Sequence, residues 1–476
     1  MRRRGAPRRT VGRRLKRDGG LSLLRLRRLA DQFQQSLFFL PAIFVVGSVV
    51  LAFGAVRLDR TLGPGDLPDF FSTTVDNARS ILSTVAGGTI SSASVVFSLT
   101  LIAVQLASSQ FSPRALRGFL GDRFQQIVMG IVVGTFTYSL VVLRVVQQPR
   151  DTSTSDPFLP RLSVLLAVIF AVASLLAVLG SIDHTAKSLR VGSLLDRIAD
   201  DTIATIEARL VRADDDDQRA LILDAPGIVP ASPRPRPHLE RRADHEPPED
   251  ALVVRATRPG WVTQLSVEAI FECLPEGSTV LLRTAVGTYL VPGVPIASVW
   301  SSSELDTDHV RDTIEDAIEV RSGRTHQQDV SFGLLQLADI AMRALSPGVN
   351  DPNTANEAIV RIGVVLASLL QHDLTTSEVR SGSSTIALAR AVGPHDYVDA
   401  AIEPIRRYAK EEPNVLQVLV RTLAGVRDAV AAEADHEVST IALDAQIELV
   451  TRALDELGSA EARDEVREAL EEFAEG

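Results

Sequence analysis

Apolar residues gather into four long runs within the first 190 positions and then recur at short periods for the rest of the chain. The runs are Leu37–Val56, Val85–Ala107, Ile127–Val146 and Leu162–Ile182. Each is close to the ~20 residues that a helix needs to cross a bilayer once. The pattern therefore predicts an α-helical integral membrane protein with four transmembrane helices. Pro41 falls in the first turns of the first run, where proline is best tolerated. A cleavable leader is not expected, because the apolar segment that starts near residue 37 is too long for a signal peptide and lacks a small-residue cleavage site.

The second run sits inside an uncharged stretch, Ser80–Pro113, bounded by Arg79 and Arg114. It is rich in Ser, Thr and Gly. Gly87, Ser91, Ser94, Ser98, Gln105 and Ser109 follow helical spacing, with Ile102 interrupting the row. On a helix they form one small, polar face, which is expected to meet protein or water rather than lipid. Two uses fit such a face: a close-packed seam between helices, or the wall of a permeation path.

Beyond the fourth run the periods change. An amphipathic segment continues to about Arg212, completing a unit over 37–212. Residues 213–250 hold Asp214–Asp217, P-R-P-R-P and E-P-P-E-D, a composition that opposes a packed core and predicts a solvated linker. Residues 251–305 read as short strands punctuated by Pro-Gly turns, with a short helix at Val267–Leu274; they predict a small β-domain, and Trp261 is expected in its core. From 306 to 476 apolar residues recur three and four apart, predicting a helical domain. The helices expected are Val310–Val320, Val330–Leu345, Asn353–Leu370, Tyr397–Lys410, Asn414–Ala432 and Thr440–Leu457. The whole is thus four membrane helices followed by a cytosolic α+β region.

Charge sets the orientation. Residues 1–30 hold twelve Arg or Lys against one Asp, a net of +11 in a chain whose total is −11. Residues 1–36 are expected to form a basic arm with an interfacial helix on anionic lipids of the cytoplasmic face. The adjacent apolar runs favour lipid over nucleic acid as its partner. Basic loops stay inside, so both termini are placed in the cytoplasm. The loop with Arg114, Arg117 and Arg123 lies on the same side. The single cysteine, Cys273, excludes an intrachain disulfide framework and a multi-cysteine metal site.

Chemistry is sparse. No G-x-x-x-x-G-K-[ST], G-x-G-x-x-G, H-E-x-x-H or G-x-S-x-G occurs, so no cofactor, metal or catalytic residues are assigned and no enzyme is expected. His184, at the cytoplasmic end of the fourth run, is a candidate pH sensor. The densest polar stretch of the cytosolic part is Gly323–Glu357. Its middle reads as a helix with Gln336, Asp339 and Arg343 on one stripe, and Asp351-Pro352 reads as an N-cap with proline at the first helical position. Arg324, His326, Asp329, Asp339, Arg343, Asn350 and Asp351 are then either parts of a capped helix–turn–helix corner or a ligand or subunit contact.

Three segments carry a family resemblance. They are F-S-L-T-L-I-A-V-Q-L-A-S-S-Q-F-S-P-R (Phe97–Arg114), F-L-G-D-R (Phe119–Arg123) and R-T-H-Q-Q-D…F-G…Q-L-A-D-I-A-M-R-A-L-S-P-G-V-N-D-P-N-T-A (Arg324–Ala355). Across about Leu29 to Leu370 the chain resembles the bacterial predicted membrane proteins of domain of unknown function 2254. The resemblance implies an inner-membrane location and the same layout of spans followed by a cytosolic part. It implies no activity. The polar stripe and the large cytosolic part suggest a homo-oligomeric channel or transporter-like protein. The alternative is a non-transporting scaffold or sensor that uses the 324–357 corner.

Overall fold

A computed structural model describes residues 39–61, 74–110, 123–146, 160–188, 190–209, 228–230, 246–372, 374, 378–389, 392–432 and 437–457. The basic arm at 1–36 lies outside the described residues. The chain divides into two compact units, Met1–Arg190 and Val191–Gly476.

The first unit contains α1 (Phe39–Thr61), α2 (Val75–Gln110), α3 (Arg123–Val145) and α4 (Arg161–Ser188). All four are long and apolar enough to cross a membrane. α2 starts ten residues before its apolar run because charge ends an apolar span without ending a helix. The Thr74 hydroxyl accepts the Asn77 amide at 3.3 Å, and Asp76 lies in the first turn, so this end is capped and charged as a helix start should be. At 36 residues α2 is roughly 54 Å long, well beyond a hydrocarbon core of about 30 Å.

α3 packs against each of the other three helices. Against α1 the approach is set by Gly130 and Gly134, four residues apart. A Cβ on Gly130 would stand 2.7 Å from the Phe44 ring, and one on Gly134 2.7 Å from Ser48 Oγ. Such small residues let helix backbones close where water gives no hydrophobic drive. Apolar clusters fill the rest, one around Ala52, Leu82, Val142 and Val164, another around Val96, Val128 and Val132. Between them run polar rungs. Gln125 donates to Thr100 at 2.6 Å and accepts from Ser181 at 2.8 Å, and Ser174 donates to Thr135 at 2.9 Å. The Tyr138 hydroxyl donates to the Ser163 carbonyl at 3.1 Å.

The second unit opens with α5 (Val191–Arg209). Its strands are β1 (Ile228–Pro230), β2 (Leu252–Arg255), β3 (Gly260–Leu265), β4 (Ser278–Leu282), β5 (Tyr289–Leu290), β6 (Pro295–Ser301), β7 (Ile318–Arg321), β8 (Glu378–Ser381) and β9 (Ser384–Leu388). They make a six-stranded sheet in the order β1-β8-β9-β4-β6-β2 and a three-stranded sheet β5-β3-β7. All neighbours are antiparallel except β4 and β9. One core joins both sheets with α6 (Val267–Cys273) and α7 (Thr307–Ala317), centred on Val262, Ile270, Val280, Val299 and Ile314.

The strands draw on more chain than the 251–305 stretch. Ile228–Pro230, from the Pro/Asp-rich segment, pairs with β8 at the sheet edge, where proline's missing donor costs least. The helix expected to reach Val320 stops at Ala317, and Ile318–Arg321 turns into β7, because its alternation of apolar and charged residues suits a strand. Trp261 is half-buried rather than core, with its ring edge-on to Tyr289 at 5.3 Å.

The helical layer contains α8 (Val330–Ala344), α9 (Pro352–Leu370), α10 (Pro394–Tyr408), α11 (Pro413–Ala431) and α12 (Glu437–Glu456). α5 joins it by packing on α8 and α9. Gly333 of α8 admits the Thr202 side chain of α5, and Gly363 of α9 admits Thr422 of α11.

Candidate functional site

α2 carries two parallel seams. The first is Leu82, Ala86, Thr89, Ala93, Val96 and Ala103, all buried where α2 meets α3 and α4. The second is the polar stripe. Gly87, Ser91, Ser94, Ser98 and Gln105 are exposed, and the Ser109 side chain lies outside the described residues. Leu82, Ala86, Thr89 and Ala93 share a spacing of four, three and four with Gly87, Ser91, Ser94 and Ser98, displaced by five residues, which is about 140° around a helix. The close-packing seam within the chain is therefore the Ala/Val/Thr face, and the polar stripe is not part of it. A Cβ on Gly87 would meet nothing within 4 Å. The stripe's hydroxyls are satisfied internally: Ser91 donates to Gly87 O at 2.9 Å, Ser94 to Ile90 O at 3.3 Å and Ser98 to Ser94 O at 2.8 Å. Their oxygens keep acceptor capacity, and the side chains are exposed.

In the second unit, Arg324 and Asp329 form a closed pair. Arg324 Nε and Nη2 donate to the two Asp329 oxygens at 2.6 and 2.7 Å, and Nη2 also donates to Ser331 Oγ at 2.6 Å. The Ser331 hydroxyl donates to Asp329 at 2.9 Å, and the Phe332 amide does so at 3.1 Å, which makes Asp329 the N-cap of α8. The side chains are 13% and 2% exposed. The guanidinium lies 5.6 Å from the Trp261 ring and 5.5 Å from Phe332. Gly287, at φ +84°, makes room, since a Cβ there would stand 2.7 Å from Arg324 Nη2. Beside the pair, the His326 ring packs on Phe332 at 4.9 Å, and its carbonyl accepts from Thr205 Oγ1 of α5 at 2.8 Å. Burial holds the imidazole pKa below its ordinary value, with Arg324 acting in the same direction and Asp201, Gln336 and Asp329 opposing.

The remaining residues of the corner lie elsewhere. Asp351 caps α9, accepting the Thr354 amide at 3.2 Å and its hydroxyl at 2.6 Å. These bonds lower its pKa. Asn350 takes the left-handed backbone the turn needs, at φ +50°, and Arg343 is exposed in the last turn of α8. Asp339 is half-buried along the helix between. The seven residues of the corner thus fall at the two ends of α8 and along it. Fifteen residues of α8, roughly 22 Å of helix, separate the Arg324/His326/Asp329 group from Asn350 and Asp351. Near the end of α4, His184 packs against Phe124 with ring centroids 4.6 Å apart. Among the described residues no group of three His, Cys, Asp or Glu side chains comes together in a way that could hold a metal.

The sequence reading missed the G-x-x-x-G at Gly130–Gly134, which was visible in the third apolar run. It also missed the Asp59 cap on α4. No local signal marks that contact, because it spans a hundred residues.

The sequence model of a family described as "Predicted membrane protein (DUF2254)" matches residues 34–425. The chain belongs to this family. It is similar to an uncharacterized protein of Mycobacterium bovis, 30% identical over 439 residues, covering 90% of this chain and 78% of that protein. Uncharacterized proteins of two Mycobacterium tuberculosis strains match at the same identity and coverage. These relatives suggest a bacterial origin. No solved structure matches the chain. The family description and four apolar helices together make this a membrane protein.

Proposed function

We propose that the protein is a homo-oligomeric channel- or transporter-like protein in which the second seam of α2 meets other copies around a shared path. The observation that carries this reading is the pair of parallel seams on one helix. The chain uses one and leaves the other bare. Polar groups at membrane depth belong on bundle interiors or water-filled cavities rather than against acyl chains. Small residues four, three and four apart suit close approach of a further helix. The hydroxyl oxygens of Ser91, Ser94 and Ser98 would line the path, with their protons held by the backbone.

The basic arm orients the molecule with both termini in the cytoplasm of a bacterial inner membrane, resting on anionic lipid. The second unit then sits on the cytoplasmic side and serves assembly or regulation. Ion flux into liposomes that hold the purified protein tests this reading. Flux that falls on Ser94→Leu and Ser98→Leu is expected. Silence across ions, voltage and membrane tension would contradict it.

A further inference from the structure

One end of the six-stranded sheet combines an apolar knob with unpaired cations. β6 begins there at Pro295, and its neighbours β2 and β4 run antiparallel to it and finish beside it, at Arg255 and Leu282. The turn that feeds β6 is Val291-Pro292-Gly293-Val294, tied to the end of β2 by Gly293 N to Ala256 O at 2.8 Å and Ala256 N to Val294 O at 2.9 Å. Tyr289, Val291 and Val294 are 50, 53 and 47% exposed. Three exposed arginines lie at the adjoining strand ends: Arg255 at the end of β2, Arg258 two residues before β3 and Arg283 directly after β4. Arg255 donates to the Gly293 carbonyl at 2.8 Å, which fixes it to the turn, and Arg283 donates to Ser298 Oγ at 3.1 Å. Among the described residues none of the three pairs with a carboxylate. Glu315 accepts from the Thr257 hydroxyl at 2.9 Å.

An exposed tyrosine and two valines at a turn, with exposed arginines on the adjoining strand ends, match the boundary between lipid headgroups and acyl chains. The aromatic ring and aliphatic groups enter it, and guanidinium groups bind phosphate. The second unit begins at Val191, with only two residues between it and the end of α4 at Ser188, so a bilayer is never far from it along the chain. A free protein partner would have to compete with a surface at that effective concentration. We infer that this end of the sheet is a lipid-docking surface that places Tyr289, Val291 and Val294 into the headgroup region of the membrane carrying the protein, with Arg255, Arg258 and Arg283 on anionic lipid phosphates. The inference needs membrane insertion and does not need conduction.

The test uses the full chain with Cys273→Ser and Val291→Cys, labelled with an environment-sensitive fluorophore and reconstituted in liposomes. In vesicles containing phosphatidylglycerol the emission should shift to the blue and be quenched by doxyl-labelled lipid. Both effects should weaken in pure phosphatidylcholine and on Arg258→Glu, a side chain with no hydrogen bond or ion pair among the described residues. A label that reports bulk water in both vesicle types overturns the inference. So does a blue-shifted label that doxyl lipid cannot quench, which would place a second copy of the chain or another protein on the surface instead. Flux measured on the same liposomes separates this result from the fate of the permeation path.

Discussion

The Asp59 carboxylate at the end of α1 grips the first turn of α4 through Ser163. One oxygen accepts both the Ser163 amide, at 2.9 Å, and its hydroxyl, at 2.6 Å, while the other accepts the Leu162 amide at 2.9 Å. A carboxylate from another helix thus fills the role a local N-cap would have. Asp59→Ala is expected to destabilise the protein by about 1–2 kcal/mol, the range for losing a cap, with Asp59→Asn intermediate. Thermal unfolding in detergent measures it, and an unchanged midpoint would show that the cap is dispensable.

Glycines on α2 and α3 should answer differently to the same change. Gly130→Leu must displace Phe44 from the α1–α3 seam, so it should lower yield and thermal stability. Gly87→Leu meets open space within the chain. It should leave the unfolding midpoint of dilute, detergent-solubilised protein unchanged but reduce association between copies. Size-exclusion chromatography with light scattering reads the second effect.

The Arg324–Asp329 pair is nearly dry, so removing one partner strands the other. Asp329→Ala is expected to cost about 3–5 kcal/mol, the range for breaking a buried pair. The double change Arg324→Leu/Asp329→Ala should cost less than the sum of the two single changes. Chemical denaturation of the single and double variants checks this.

His326 gives the second unit an acid-sensitive stability. Its folded pKa lies below the unfolded value near 6.5, so the unfolded state binds the proton first. The stabilisation is complete above that value and declines as pH falls from about 6.5 towards the folded pKa. His326→Asn should remove this part of the slope. Asp351 acts in a lower window: its pKa is depressed, so its contribution is lost only as pH drops below the ordinary carboxylate range. Melting temperatures measured across pH for wild type and His326→Asn give the comparison.

The four long apolar helices were legible because length and apolarity are written in local composition. The Asp351 N-cap and Pro352 were legible for the same reason, as each acts within one turn. Contacts far apart in sequence were not legible. β4 pairs with β9 across about a hundred residues, and Ile228–Pro230 finds β8 across 150. Helical spacing puts the polar stripe on one side of α2, but spacing alone could not say which seam the chain would keep for itself. The seam it kept is built of Ala, Val and Thr, a choice set by the shapes of α3 and α4. The corner's residues stand at both ends of α8, a separation that was already countable from the sequence.

Cysteine cross-linking in native membranes tests the central claim most directly. On a Cys273→Ser background, Ser94→Cys on the bare seam of α2 should form disulfide-linked dimers under mild oxidation, whereas Val172→Cys, on the exposed face of α4, should not. Cross-linking at 94 alone is the result predicted. A Ser94→Cys protein that stays monomeric while its thiol reacts only with lipid-soluble reagents would place that face against acyl chains and contradict the account.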